Sequence, residues 1–373
     1  MSDGDVAIAT ARADKSALAA LRARSRRDVD EGLLPSCQIA LARDGELLVD
    51  ETYGAPAASR YVTFSVTKAF TATLAWLLIG DRALRDDTRV ADVVPEFAAN
   101  GKDEVTVEHL LTHTAGFPRA PMRPEEGADR DQRVERMATW RLDWPPGTQT
   151  TYHATSAYWP LVEMTDRISG VDFRRLFAER VAGPLGLPGL QIGPQVDEQT
   201  DVQRIQAAGE IDEGGQTLGD HVKETEEQFL LRFNEPDVLA AGVPGAGSVG
   251  RAAEVALFYQ ALLHNPGDLF DPKVLADATG TIRNRLVDPL FDCPANRTLG
   301  LVVAGDDDKA PVRGFGRHTG PRAFGAQGVG GQIAWADPDS GLSFSYLTNG
   351  LDVDVVGSFV RSAKLAGLAA RCG

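Results

Sequence analysis

The run Phe64-Ser65-Val66-Thr67-Lys68 opens an almost wholly apolar stretch that continues to about Ile79. With Thr63 ahead of it as a candidate N-cap, the pattern reads as a buried helix. A serine and a lysine three apart on a helix share one face, with Cβ atoms about 5–6 Å apart, so the Lys68 amine can reach the Ser65 hydroxyl. On the first turn Ser65 also sits beside free backbone N–H groups, which favour the negative charge that develops during acyl transfer. Apolar neighbours penalise the ammonium form and lower the lysine pKa, and a neutral Lys68 can take the serine proton. An S-x-x-K pattern fixes only two positions, but it occurs once here, and one of only seven lysines is spent inside an apolar helix where charge is costly. The competing reading is a lysine that snorkels out of an amphipathic helix.

Outward from this stretch, Pro35 to Asp50 contains two apolar strand-like runs around Asp44-Gly45, a strong hairpin signal. Ala17 to Glu31 places Leu18, Leu21 and Val29 at helical spacing among arginines, as an amphipathic surface helix does. From about 80 to 235 helical segments are broken by Thr114-Ala-Gly-Phe-Pro118 and Trp144-Pro-Pro-Gly147. Gln195 to Gln228 is acidic and poor in large apolar residues, so an exposed loop or lid is expected there. Strand character returns in Gln332 to Ala336 and Leu342 to Thr348, joined by Asp337-Pro-Asp-Ser-Gly341, and a last helix is expected over Val355 to Ala370. Strands at both ends with helices between imply an α/β (α+β) chain. An antiparallel sheet domain would comprise 15–65 plus 236–373, and an all-helical domain, 66–235, would be inserted in it, with the acidic loop or lid at about 195–235.

Composition narrows the function classes. The 373 residues carry 53 acidic and 38 basic side chains, a net charge of −15, which works against a polyanionic partner such as DNA or RNA. The longest apolar run, Phe70 to Gly80, is about half of what a membrane-spanning helix requires. Met1 to Ser16 lacks a basic region followed by an apolar one, so no secretory signal is read and a cytoplasmic location is expected. Cys37, Cys293 and Cys372 are odd in number and scattered, which fits neither a disulfide framework nor a metal knuckle.

Four stretches in order, Phe64 to Lys68, Val107-Glu-His-Leu-Leu-Thr-His-Thr-Ala-Gly-Phe-Pro118, Trp144-Pro-Pro-Gly-Thr148 leading into Thr151-Tyr152, and Gly325 to Gly331 followed by Ile333-Ala-Trp-Ala-Asp-Pro338, resemble the serine beta-lactamase/penicillin-binding-protein-like superfamily. The likeness is to its class C-like, family VIII-type esterase and transesterase branch and spans roughly residues 30 to 365. It implies a beta-lactamase/transpeptidase-like fold, with Ser65 as the acylated nucleophile, Lys68 as its base partner and Tyr152 as a second acid/base group. An ordinary phenol, with a pKa of about 10, suits that role only when two cations or donors flank it; Lys68 is one candidate. The same resemblance implies an oxyanion hole formed by the backbone N–H groups of Ser65 and Val329.

Departures from the pattern matter too. The resemblance calls for Tyr-x-Asn, but this chain has Tyr152-His153-Ala154; it calls for Lys-Thr-Gly or His-x-Gly, but Ala326-Gln327-Gly328 stands there. Both missing groups anchor a beta-lactam or peptide, and a lost charge-assisted contact costs about 1.5–3 kcal/mol, which disfavours beta-lactamase and peptidase activity. His153, Gln327, Gly328 and Trp159 are the expected substrate contacts; His318 and Arg322 are further candidates, and Trp140, Trp144 and Tyr158 could join Trp159 in an apolar acyl pocket. The missing cation, with an acidic lid, points to a neutral or cationic substrate.

Three rival signals are weaker. His109 and His113 are four apart, as zinc ligands can be, but the HExxH order is missing and a structural role is expected. Gly245-Ala-Gly-Ser-Val-Gly250 formally reads G-x-G-x-x-G, yet Pro244 spoils the preceding strand and no βαβ rhythm surrounds it, so a glycine turn capped into a helix is expected. Ser65 lacks the Gly-x-Ser-x-Gly elbow of an alpha/beta-hydrolase. The expected function is therefore a serine esterase working through a Ser65 acyl-enzyme on a small-molecule ester or thioester, with no metal, cofactor, nucleic-acid or membrane partner. The alternatives are a biosynthetic acyltransferase or thioesterase on the same fold, and a catalytically weakened binding or scaffold protein. Oligomeric state is left open.

Overall fold

The computed structural model describes residues 13–208, 228–352 and 355–373. The start of the chain, where no leader is read, and 209–227, the centre of the expected lid, lie outside the described residues.

The main sheet is antiparallel and six-stranded: β1 (Cys37–Arg43), β2 (Glu46–Tyr53), β3 (Val302–Val303), β4 (Phe324–Gln327), β5 (Ile333–Asp337) and β6 (Leu342–Thr348). The spatial order is β2-β1-β6-β5-β4-β3, so residues 37–53 and 302–348 build one sheet while the intervening chain makes the remaining structure. Asp44 and Gly45 both take positive φ, 53° and 78°, as the two-residue turn between β1 and β2 requires.

Among the helices of the described residues are α1 (Lys15–Asp30), α2 (Thr67–Gly80), α3 (Val107–Leu111), α4 (Arg130–Thr139), α5 (Tyr158–Ser169), α6 (Ala252–His264) and α7 (Val355–Ala370). Both faces of the sheet are covered, which is why β1 is buried nearly end to end. Cys37, Ile39 and Leu41 share a core with Leu18 and Leu21 of α1 and Leu365 and Ala369 of α7. Their neighbours Ala40 and Ala42 turn to the opposite core, where small side chains let α6 lie close to the sheet. Gln260 of α6 fixes that approach, donating to Ala42 O at 3.1 Å and to Gly341 O at 3.0 Å.

α2 is apolar on all sides and buried over nearly its whole length, at the centre of the larger core. Trp76 of α2 donates its indole N–H to Leu299 O at 2.9 Å. Gly300, at φ +103°, lies so close to α2 that a Cβ there would sit 2.4 Å from that of Ala72. Glycine is therefore needed both for the turn and for the approach. Of the acidic segment, the described part is ordered: Val196–Glu198 forms a 3-10 turn and Gln206–Ala208 pairs in parallel with Gly350–Asp352. No helix among the described residues is long and apolar enough to cross a membrane.

Candidate active site

Ser65 is the middle residue of a 3-10 turn, Phe64–Val66, that runs directly into α2. Thr63 does not cap the helix with its side chain, as the sequence suggests; its hydroxyl instead joins those of Thr67 and Ser248 in a buried cluster. Phe64 takes a left-handed φ of +45°, a conformation costing on the order of 1–3 kcal/mol for a bulky residue. Its ring is held edge-on against Phe233, with centroids 5.8 Å apart.

Lys68, on the first turn of α2, is 3 % exposed. Its Nζ lies 3.1 Å from Ser65 Oγ, 2.7 Å from Ala154 O and 2.8 Å from Gly245 O. As an ammonium it donates to all three oxygens. As a neutral amine it donates to the two carbonyls and turns its lone pair to the Ser65 hydroxyl, which then donates. The same heavy-atom positions serve before and after a proton moves between them. Burial lowers the pKa of Lys68, against the opposing pull of Tyr152, and so favours the neutral form.

Gly245 belongs to the glycine run that mimics a phosphate loop. A Cβ there would stand 2.9 Å from Ala154 O and 3.2 Å from Lys68 Nζ, so its missing side chain makes room for the amine. Thr71 donates to Pro244 O at 2.7 Å and ties the same loop to α2. The next residues, Ser248–Gly250, form a short strand leading into α6.

Tyr152 comes to the serine from an extended segment clamped by the loop after α3. Gly147 donates to Thr114 O at 2.9 Å and Asp143 to Gly116 O at 2.6 Å, so the Thr-Ala-Gly-Phe-Pro and Trp-Pro-Pro-Gly turns bind each other. His113 accepts at Nδ1 from His153 N at 2.9 Å, and its ring stacks on Tyr152 at 4.9 Å. Lys68 Nζ lies 4.9 Å from the centre of the Tyr152 ring. Burial pushes the phenol up, but Lys68, Ser65 and Arg297 together bring it below its ordinary value. All the other tyrosines, residues 53, 61, 158, 259 and 346, are raised by burial.

Ser65, Lys68 and Tyr152 open onto a cavity of about 150 Å³ that Gln327, Gly328 and Val329 also line. Gly328 donates to Gln332 O at 2.8 Å, and Val329 begins a 3-10 turn. The N–H of Val329 therefore heads a turn with no earlier carbonyl of that turn to accept it. The Gln327 side chain packs over Gly314, where a Cβ would fall 1.6 Å from its Nε2.

His153 and Trp159 are corrected. His153 is fully buried; its Nε2 accepts from Phe117 N at 3.2 Å and its Nδ1 donates to Thr151 O at 2.6 Å, which leaves neither nitrogen for a substrate. Burial lowers its pKa to about 4, so it is neutral. Trp159 is buried against Gly127 in the core. Neither residue lines the cavity, nor do Trp140, Trp144, Tyr158 and His318; Arg322 pairs with Asp339 on the surface. The apolar walls come instead from residues such as Leu290, Phe291, Val302 and Phe359. His109 caps α3 through its Nδ1 and Thr106, and no group of three metal-ligating side chains occurs among the described residues.

Two participants escape sequence reading: Gly245, whose carbonyl holds Lys68, and Arg297, whose guanidinium carbon lies 5.3 Å from the centre of the Tyr152 ring. The charged residues that line the cavity are Lys68, Arg297, Arg313 and Asp288, so the chain's overall −15 says little about the sign of the substrate.

The family model described as Beta-lactamase matches residues 21–365. The chain is 30 % identical over 316 residues to Esterase/beta-lactamase LipL of Mycobacterium tuberculosis, covering 78 % of this chain and 69 % of that protein. Esterase EstB of Burkholderia gladioli is 29 % identical over 349 residues, covering 83 % and 84 % respectively. The crystal structure of a family VIII carboxylesterase superposes with a TM-score of 0.76 at 25 % identity, covering 94 % of this chain and 97 % of that one.

Proposed function

The chain belongs to the beta-lactamase family, and from that premise we propose that it is a serine esterase that cleaves a small carboxylic ester through an acyl-enzyme on Ser65. The carrying observation is the Lys68 amine, buried and held by two carbonyls with its third position on the Ser65 hydroxyl, at a cavity that Tyr152 shares.

In this reading neutral Lys68 accepts the Ser65 proton as Oγ attacks the ester carbonyl. The oxyanion is stabilised by the N–H groups of Ser65 and Val329. Tyr152 gives its proton to the departing alkoxide, and the resulting phenolate takes a proton from the water that attacks the acyl-enzyme. Collapse of the second tetrahedral species returns the Ser65 proton and releases the carboxylic acid. Two features support an ester over a beta-lactam: Ala154 has no side-chain amide to grip an acylamino group, and Ala326 lines the cavity where a basic side chain would meet a carboxylate.

The test is turnover of a chromogenic short-chain ester, with and without an added alcohol. Release of free acid at a rate independent of the alcohol is the expected outcome. Preferential formation of a new ester would make the protein an acyltransferase. No turnover and no acyl adduct would leave the binding-protein reading.

A further inference from the structure

We propose that Arg297 is a positioning residue for Tyr152: its guanidinium, set over the phenol ring, supplies a permanent positive charge to the group that gives up and regains the proton. The inference rests on the acid/base role of Tyr152 proposed above.

Arg297 is an unpartnered cation. Among the described residues its guanidinium has no carboxylate or carbonyl acceptor, its Nε is buried without a hydrogen-bond partner, and its one assigned side-chain neighbour is the Tyr152 ring. Arg297 is half-buried and lines the cavity together with Tyr152, so its charge is free to act on an anion that forms there. The phenolate of Tyr152 is that anion.

The placement of Arg297 is built into the fold. Its backbone is bridged on both sides, to Asn284 and to Val302. Asn284 donates its side-chain amide to Thr112 O and to Thr150 Oγ1, both at 2.9 Å, and so joins the Arg297 strand to the segment carrying Tyr152. On the other side, the Trp76 bond to Leu299 O and the close approach of Gly300 to Ala72 press the following residues onto α2. The cation is thus braced from α2, which bears Lys68, and from the loop bearing Tyr152.

Of the other charged groups lining the cavity, Arg313 is paired with Asp307 and Asp288 accepts from Leu290 N, which leaves this role to Arg297 and Lys68. His113, stacked on Tyr152, and His153, next in sequence, are buried and held neutral, and Arg297 is itself one cause. Tyr158 of α5 stays protonated, while the charge of Asp143 acts on His153. β4 and the turn after it bring Ala326, Gln327, Gly328 and Val329 to the cavity, none of them cationic. Lys68 gains and loses its charge as it takes and returns the Ser65 proton, whereas the guanidinium of Arg297 keeps its charge through every step of the phenol.

The experiment follows the near-ultraviolet absorbance of tyrosinate during alkaline titration of the whole protein, alongside pH profiles of kcat and KM. Since the other five tyrosines are raised, the first phenol to ionise is Tyr152, and its step disappears in Tyr152→Phe. In Arg297→Met this step moves up by about one pH unit or more, the scale for one charge at this distance in a partly screened site. The matching limb of kcat moves with it, KM for an uncharged ester changes little, and Arg297→Lys restores most of the shift. Arg297→Gln, a second neutral variant, repeats the result if the Met variant folds poorly. An unmoved phenol step overturns the proposal, as does a loss confined to KM for a carboxylate-bearing ester, which would make Arg297 a substrate anchor. Near-normal turnover of Tyr152→Phe would instead defeat the acid/base reading on which the inference rests.

Discussion

Replacing Gly245 by alanine is a narrow perturbation of the Lys68 cradle. Its backbone lies outside the left-handed region, so alanine meets no dihedral penalty there, and the consequence is steric. The new Cβ would press on Ala154 O at 2.9 Å and on Lys68 Nζ at 3.2 Å, so one or both must move by a few tenths of an ångström. Those atoms belong to the three hydrogen bonds that orient the amine. Loss of one such bond costs about 1–1.5 kcal/mol, close to tenfold in rate, and misalignment of a reacting pair can raise the loss to about 100-fold. Overpacking costs stability by about 1–3 kcal/mol, within reach of a folded variant. The assay is kcat/KM on a chromogenic ester together with thermal unfolding, and Gly280→Ala, where nothing lies within 4 Å, is the control. A drop of about 10- to 100-fold in the Gly245 variant, with the control unchanged, is expected. A folded variant with activity within about twofold of the parent would refute the idea that this cradle sets the lysine.

Further outcomes follow from the same geometry. Lys68→Ala and Tyr152→Phe each lower kcat by at least about 10²-fold in steady-state assays, the scale of lost acid/base help. The ascending limb of kcat/KM lies below the ordinary lysine range, because burial depresses Lys68 and the neutral amine is the active form. His153 has a folded pKa of about 4 against 6.5 unfolded, so the folded state binds fewer protons between these values and stability is lost as pH falls through them. For this one group the loss is on the order of 3 kcal/mol. Asp166, raised to about 6 by burial despite Arg133, works in the opposite direction. The readout is therefore the difference between parent and His153→Gln in urea unfolding from pH 7 to 4, with a shallower loss in the variant. Finally, Glu163 of α5 is fully buried and accepts from Arg130 and Arg133 of α4 and from Arg167. Glu163→Ala takes one of two carboxylate partners from buried Arg133, which keeps Asp166, and costs on the order of 3 kcal/mol in urea unfolding, with kcat preserved while the protein is folded.

The two hairpins, the buried helix and the terminal helices were legible because each is written in local periodicity and turn chemistry. The Ser65–Lys68 pair was legible for the same reason, since three residues on one helical turn meet whatever surrounds them. His153 shows where adjacency misleads: in an extended segment neighbours point opposite ways, so Tyr152 at the cavity sends His153 into the core. Trp159 likewise lies on the packed face of α5. Arg297 has no local signature at all, because its meaning arises only when a bridge to Asn284 and a glycine at 300 fold it onto Tyr152. Gly245 was visible as part of a glycine run, but its task depends on a lysine 177 positions earlier.

The most direct test of the account is intact-mass and peptide analysis after exposure to a serine-reactive phosphonate. One adduct per chain, mapped to Ser65, lost in Ser65→Ala and slowed in Lys68→Ala, is the expected result. A chain that stays unmodified, or an adduct that persists in Ser65→Ala, would contradict the assignment of Ser65 as nucleophile.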